Sequence, residues 1–316
     1  MKIILPLIFF LLCTSEVMIQ GCGQASGAKK NAAGEKVNPA PFLLSDEFKN
    51  YWYSGKAEIS SYKLEQARYG EIHSGYATTI FVTEDFSKSK QVKLDHPENA
   101  GGDKLPVLKL NLVKKFITGI YPYSMMLSVF SPVDINAYPH AVKTTASVQE
   151  WCGMTYSQLN ARNGKNEVQG NSYFEEEGDQ HSTFETCIME DELWSLIRIA
   201  PEKLPSGEQR VLPGMLYTRL THIPLVIQTA TLKLKEANGK MTYSIDYASQ
   251  KHTINIYFEK SFPHKILGWD ETFPGFDGKL LTTTATLDKT LITDYWVHHT
   301  NADRAMRTAL DIPENF

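Results

Sequence analysis

The chain is poor in cysteine and has no block of charge of one sign. Four cysteines in 316 residues are too few for a small disulfide-dense scaffold. The 32 basic and 36 acidic side chains are interspersed and leave a net charge of -4, so the chain lacks the basic surface that nucleic-acid binding requires. At 42% hydrophobic and 22% charged residues, the composition excludes a disordered or collagen-like chain and fits a globular protein.

A single apolar run is long enough to concern a membrane, and it lies at the N-terminus. Lys2 precedes an apolar stretch over residues 3–12, which is too short to span a bilayer and is typical of a secretory signal. The four residues that end at Cys22 read Ile-Gln-Gly-Cys, the pattern of a bacterial lipobox. We therefore predict a lipoprotein signal peptide over residues 1–21, acylation of Cys22, and a flexible tether over residues 22–41.

The residues around Cys22 also indicate the cellular location of the protein. No Asp follows Cys22 directly, and no acidic cluster of the surface-export type follows it. We therefore predict a protein held to the outer membrane by its lipid, with the body facing the periplasm. The alternatives are cleavage before Cys13, which the bulky Leu12 disfavours, and an ordinary signal peptide in which Cys22 is incidental.

Helical periodicity is scarce, and apolar residues recur at every second position through most of the body. Ile254, Ile256 and Phe258 alternate with more polar neighbours, and Asn238-Gly239 between two such runs predicts a tight hairpin. We predict a mainly β protein in which long antiparallel strands form a curved sheet or partial barrel, with one or two short covering helices.

Helices are expected in two places, and one segment divides the body. A capping box of Ser182 and Glu185 predicts a helix that Pro201 ends, and a second helix is expected over residues 301–310. Prolines and glycines punctuate residues 201–214. This predicts an N-terminal β-rich half and a C-terminal β-meander half, as two domains or one continuous domain, over residues 42–200 and 215–316.

Two cysteines remain once the signal peptide is removed. In an oxidising periplasm, Cys152 and Cys187 are candidates for a disulfide. Two alternatives stay open: both are buried free thiols, or Cys152 is a nucleophile activated by His140 or His181.

Other chemistry-bearing patterns are weak. The acidic run at residues 175–181 lacks the spacing of a calcium-binding loop and is interpreted as a solvated loop, and the pair His298-His299 has no third ligand. There is no nucleotide-binding fingerprint and no hydrolase elbow, so we predict no metal and no cofactor. Several strands are apolar on both faces, which suits an interior that holds a ligand, with Phe81, Met125 and Ile256 as candidate lining residues.

Four segments of the chain resemble a known family. Residues 47–62, 66–71, 118–124 and 149–153 resemble an uncharacterised lipoprotein family of Bacteroidetes, whose members often carry the label "septum formation inhibitor Maf". The Ser-Xaa-Ser-Pro-Arg-Arg motif of the Maf nucleotide pyrophosphatases is absent from this sequence. The resemblance therefore implies an exported, strand-rich lipoprotein and implies no active site.

These patterns together predict a binding protein more than an enzyme. We expect a periplasmic lipoprotein, attached to the membrane by its lipid, that binds an apolar ligand or an envelope partner protein and does not bind nucleic acid. The alternatives are an envelope hydrolase that uses Cys152 and a purely structural lipoprotein.

Overall fold

The computed structural model describes residues 44–314, and strands make up more than half of this range. The predicted signal peptide, Cys22 and the tether lie outside this range. The strands are β1 (Ala57–Arg68), β2 (Glu71–Ser87), β3 (Lys104–Thr118), β4 (Tyr121–Pro132), β5 (Lys143–Glu150), β6 (Gly153–Arg162), β7 (Lys165–Ser172), β8 (Gln180–Glu185), β9 (Ile188–Met189), β10 (Gly207–Leu212), β11 (Gln228–Ala237), β12 (Lys240–Tyr247), β13 (His252–Glu259), β14 (Ile266–Pro274) and β15 (Leu280–Thr293). The α-helices are α1 (Asp46–Trp52), α2 (Glu190–Ile199), α3 (Met215–Thr221) and α4 (Ala305–Ala309).

The period-two pattern of the sequence corresponds to strands with one buried face. In β13 every second side chain from His252 to Phe258 is buried, and the residues between them stay partly exposed. The predicted hairpin joins β11 to β12 through Asn238 and Gly239, whose φ angles are 52° and 75°. Positive φ at both central residues is what a tight primed turn requires. The mainly β prediction is confirmed.

All fifteen strands belong to one sheet. Its order is β8-β7-β6-β5-β4-β3-β2-β1-β15-β14-β13-β12-β11-β10-β9. Neighbouring strands are antiparallel, except that β9 and β10 are parallel. Because β1 pairs with β2 on one side and with β15 on the other, the predicted N-terminal and C-terminal halves share this sheet.

The sheet curls around two of the helices. Its edge strands, β8 and β9, are separated in sequence only by Thr186 and Cys187 and do not pair with each other, so the sheet is not closed. A flat sheet of fifteen strands would be about 65 Å wide, at a spacing of ~4.8 Å between strands. A two-residue link between its edges therefore forces the sheet to bend back on itself. Helix α2 packs on β3 and β4, and α3 packs on β4 and β5.

Helix α2 begins later than the sequence predicts. Ser182 and Glu185 lie in β8, where their backbone groups pair with β7, so the predicted capping box is wrong. The cap is supplied by Glu192, whose carboxylate accepts a hydrogen bond from the Met189 amide at 3.2 Å. The helix ends just before Pro201, as predicted. Pairing with a neighbouring strand has overridden a local capping signal.

A buried ion pair joins α2 to the centre of the sheet. Arg198 on α2 donates two hydrogen bonds to Glu58 on β1, at 2.6 and 2.7 Å. Tyr51 donates a third to the same carboxylate at 2.5 Å, and Arg198 Nε donates to the carbonyl of Pro263. The guanidinium also lies 4.7 Å from the centre of the Phe81 ring. This set of contacts, which we call the buried clamp, satisfies both charges.

Candidate ligand-binding site

Four large apolar side chains project from connections at one end of the sheet. Ile120, Trp151, Tyr173 and Phe276 are between 68 and 80% exposed. They belong to the β3–β4, β5–β6, β7–β8 and β14–β15 connections, and the strand registers place these connections at the same end of the sheet. We call these four residues the apolar rim. Large exposed apolar side chains at one end of a sheet are typical of an interaction surface.

A cavity of about 170 Å³ opens beside Phe276, and we call it the apolar cavity. Helix α3 forms one wall, and the rim-side ends of β1, β14 and β15 form the others. Apolar walls with few polar groups are typical of small-molecule sites. The apolar lining includes Ala67, Tyr217, Leu220, Ile223, Phe273 and Leu281.

The principal charged group in the lining of the apolar cavity is Arg68, the last residue of β1. Its side chain donates to the carbonyl oxygen of Leu220 in α3 and to the hydroxyls of Tyr123 and Tyr69, at 3.2 and 3.3 Å for the two tyrosines. The guanidinium carbon lies 4.2 Å from the centre of the Tyr69 ring and 5.8 Å from that of Phe276. Among residues 44–314, no carboxylate forms an ion pair with it, and its Nε has no hydrogen-bond partner.

A second, polar cavity of about 500 Å³ lies on the other side of the C-terminal end of α3. Here Arg219 does have a carboxylate partner, because its Nη1 lies 3.2 Å from Glu177. Glu177 also accepts hydrogen bonds from His222 Nδ1 and from the Ser172 hydroxyl, both at 2.7 Å. His222 Nε2 lies 3.5 Å from Arg68, and His222 lines the polar cavity but not the apolar one. The arginine of the polar cavity is therefore already paired with a carboxylate.

A buried polar network lies behind the wall of the apolar cavity. The ring of Tyr217, which lines the cavity, stacks on His252 at 3.6 Å. His252 hydrogen-bonds Glu271 at 3.2 Å, and Lys114 lies 3.8 Å from the same carboxylate. Burial raises the pKa of Glu271, but His252 and Lys114 outweigh that effect and the net shift is downward.

Two further acids in this region have raised pKa values. Burial, followed by the neighbouring charge of Glu190, raises the pKa of Asp191 to about 8. Burial also raises the pKa of Glu190, whose carboxylate accepts a hydrogen bond from the Tyr247 hydroxyl at 2.7 Å. Asp191 accepts a hydrogen bond from the Met215 amide at 3.1 Å. These acids lie at the N-terminal end of α3, where the helix dipole favours negative charge.

The three ligand-lining candidates from the sequence lie elsewhere. Phe81, Met125 and Ile256 are fully buried in the main hydrophobic core and line neither of the two cavities described above. Phe81, for example, packs on Trp52 with ring centres 6.2 Å apart. Strands that are apolar on both faces occur here because α2 and α3 cover the inner face of the sheet, and Leu310 and Ile312 pack against Ile80 on the other face. The lining prediction is therefore corrected to the wall of the apolar cavity.

The two cysteines are free thiols, and the predicted disulfide is not formed. Cys152 is exposed in the β5–β6 turn, whereas Cys187 is buried just after β8, next to Thr186, which hydrogen-bonds Gly164. These two positions are at opposite ends of β6. Its ten residues at ~3.4 Å each separate them by about 30 Å, far beyond the reach of a disulfide.

The surroundings of Cys152 do not favour a nucleophile. Glu150, through a hydrogen bond and its charge, raises the pKa of this thiol, whereas a reactive cysteine needs a lowered pKa. His140 lies in the β4–β5 connection at the other end of the sheet and hydrogen-bonds Glu192 at 2.8 Å. His181 is exposed on β8. The structure therefore does not bring Cys152 and His140 together.

Sequence reasoning singled out neither Arg68 nor His222. Arg68 does carry a local signal, since it ends an alternating strand and is followed by the turn residues Tyr69 and Gly70. Its contact with Leu220 spans 152 residues and depends on how the sheet curls. Trp151, an aromatic residue in the β5–β6 turn, belongs to the apolar rim.

Comparison with known proteins supplies no relative. No protein-family model matches the chain, and no curated protein matches it either. No helix within residues 44–314 combines the length and apolar composition needed to cross a membrane. In that same range, no group of three or more His, Cys, Asp and Glu side chains could hold a metal ion.

Proposed function

We propose that this protein is a non-enzymatic binding protein of the bacterial envelope that holds an apolar ligand in the apolar cavity. The observation that carries the proposal is an apolar-walled cavity that opens beside Phe276, a member of the exposed apolar rim. An apolar ligand that enters loses its contact with water, which is the main source of affinity at such sites.

The size of the cavity limits the part of the ligand that it can enclose. Its volume is about 170 Å³, and an apolar cavity of roughly 150 Å³ holds one benzene molecule. The cavity therefore takes a short aliphatic chain or one ring, and a longer chain would extend past Phe276 along the rim. Burial of seven CH₂ groups at ~0.8 kcal/mol each corresponds to a Kd of roughly 0.1 mM.

Octan-1-ol tests this proposal, because it is uncharged and of suitable length. Calorimetric titration of the purified protein should give saturable binding in the range above. Leu281→Trp should abolish it by filling the cavity, provided that the variant melts cooperatively. The matched control is Leu280→Trp, since Leu280 precedes Leu281 in β15 but is exposed and outside the cavity lining.

Three outcomes would count against the proposal. Absence of octan-1-ol binding to the native protein would overturn it and favour the partner-protein alternative, in which the apolar rim alone is used. Equal affinity in the Leu281→Trp and Leu280→Trp variants would place the ligand elsewhere. If Leu281→Trp does not fold, NMR spectra of the native protein replace this variant as the test. Octan-1-ol should then shift side-chain signals from the cavity lining, and unchanged spectra would overturn the proposal.

The proposed cellular location is inferred from the N-terminal residues. We propose that Cys22 is acylated and that its lipid holds the protein in the outer membrane, with residues 44–314 in the periplasm. Mass spectrometry of the mature N-terminus should find a diacylated or triacylated Cys22. An unmodified terminus at another residue would contradict this proposal, and protease digestion of intact cells would reveal a body that faces outward.

A further inference from the structure

Arg68 carries a positive charge that residues 44–314 do not neutralise. Only 6% of its surface is exposed. An arginine stays protonated in proteins, so its charge has to be stabilised where it lies. Within the described residues its partners are the Leu220 carbonyl, the His222 imidazole, two tyrosine hydroxyls and aromatic ring faces, none of which carries a full negative charge. A buried charge without a counter-ion is costly.

Two other arginines of the molecule show the usual solution. Arg198 is paired with Glu58, and Arg219 is paired with Glu177. Arg68 differs from both, although it is nearly as buried as Arg198. It also differs in position, because it lies in the lining of an open apolar cavity. Since Arg68 lines this cavity, a ligand inside it is in a position to supply the missing anion.

The rings around Arg68 define the shape of the site. Tyr69, Tyr123 and Phe276 surround the guanidinium with ring centres 4.2, 5.5 and 5.8 Å from its central carbon. These rings hold the cation in place and exclude water from it, which strengthens a charge-assisted hydrogen bond to an entering anion. Apart from Thr221 and Gln250, the remaining side chains of the lining are apolar and suit an aliphatic body.

We propose that the apolar cavity binds an apolar monocarboxylate of the fatty-acid type, with its carboxylate on Arg68 and its chain against Leu220, Phe273 and Leu281. This inference rests on the proposed function and specifies the chemical class of its ligand. A carboxylate matches the planar, forked geometry of a guanidinium, and a single negative charge is what the site lacks.

The test compares octanoate with octan-1-ol, which share the chain length and differ in the charged group. Titrated into the native protein, octanoate should bind at least ten times more tightly than octan-1-ol. In the Arg68→Gln variant the two probes should bind within about twofold of each other, because only the anion uses Arg68. The matched control is Arg219→Gln, which removes an arginine already paired with Glu177 and should keep the native ratio.

Each result of this comparison decides between the two proposals. Equal binding of both probes to the native protein would overturn the carboxylate inference and leave the apolar-ligand function standing. Failure of both probes to bind would overturn both. If the Arg68→Gln variant keeps the native ratio of octanoate affinity to octan-1-ol affinity, another group recognises the anion. Tighter binding of a tripeptide with a C-terminal leucine than of octanoate would overturn the fatty-acid class in favour of a chain terminus.

The comparison does not depend on the folding of one variant. If Arg68→Gln fails to fold, Arg68→Lys keeps the charge but loses the forked geometry, and it should retain a preference for octanoate that is weaker than the native one. An unchanged preference in Arg68→Lys, or no preference in the native protein, would each overturn the inference.

Discussion

Arg198 and Arg68 are both buried at the inner side of the same sheet, yet only one of them is neutralised. Arg198 has a bidentate carboxylate partner in Glu58, and Tyr51 donates a further hydrogen bond to the same carboxylate. Arg198 lines neither of the two cavities described above. Arg68 has neutral partners and lies in the wall of an opening. The first arrangement is complete without a ligand, whereas the second becomes complete when an anion enters.

The same contrast holds for the acids. Burial raises the pKa of Glu58, but Arg198 outweighs that effect and holds the pKa below its usual range. Asp191 is equally buried and lacks a cation in direct contact, and its pKa is raised to about 8. The buried clamp is thus a matched pair of charges, whereas the region around α3 holds a cation without a counter-ion and an acid that keeps its proton. Strongly shifted pKa values are common at functional sites.

The largest expected effect comes from breaking the buried clamp. Glu58→Gln leaves Arg198 buried without its counter-ion, and we expect the free energy of unfolding to fall by about 3–5 kcal/mol. Arg68→Gln removes hydrogen bonds but no ion pair, so its cost should be near 1 kcal/mol. Denaturant titration of both variants measures the difference. Equal losses in the two variants would contradict the contrast between these arginines.

A surface pair gives the reference for this measurement. Lys260 lies 2.8 Å from Glu236, and both side chains are well exposed. Solvent screens such pairs, so Glu236→Gln should change the free energy of unfolding by less than about 1 kcal/mol. A larger loss at Glu236 would mean that the destabilisation of Glu58→Gln reflects loss of a charge in general and not burial.

Asp191 should make the free energy of unfolding depend on pH. The pKa of Asp191 is raised to about 8 in the folded protein, against about 3.9 for an unfolded aspartate. Between these values the folded state keeps a proton that the unfolded state has released, so the contribution of Asp191 to stability is greatest below pH 4 and is lost as the pH rises towards 8. The contribution of Asp191 to this slope is up to ~1.4 kcal/mol per pH unit.

Asp191→Asn should remove that share of the slope, because the amide stays neutral at every pH. Denaturant titrations at pH 5, 6 and 7 measure it. The matched control is Asp246→Asn on β12, an exposed aspartate that should keep the native slope. If Asp191→Asn shows the same pH dependence as the native protein, the carboxyl is ionised in the folded state and the contrast with Glu58 is wrong.

Much of the fold follows from local sequence patterns. Alternation in residues such as Ile254 and Ile256 predicts strands because one face of each strand packs on a core, and Asn238-Gly239 predicts a hairpin because its backbone accepts positive φ. Both signals act over a few residues. The capping box at Ser182 fails because pairing of β8 with β7 supplies more hydrogen bonds than a helix cap would.

The candidate site could not be predicted in the same way. Arg68 becomes part of a site only because α3 packs beside it. Phe276, which also lies beside Arg68, belongs to the β14–β15 connection more than 200 positions later in the chain. A strand that is apolar on both faces, such as the segment around Phe81, looks the same whether it lines a cavity or is covered by helices. The covering by α2 and α3 is a property of the curled sheet and not of any one strand.

The smallest expected change in stability is at the apolar rim, where the effect on binding is larger. Phe276 is 70% exposed, so Phe276→Ser should alter the free energy of unfolding by no more than about 0.5 kcal/mol. It should weaken octan-1-ol binding about fivefold, the equivalent of ~1 kcal/mol of lost apolar contact at the cavity. Trp296→Ser is the control, because Trp296 is also an exposed aromatic but follows β15 at the other end of the sheet. Equal binding in the two variants would separate the apolar rim from the apolar cavity. A marked destabilisation by Phe276→Ser would instead show that this side chain stabilises the fold, as Arg198 and Glu58 do.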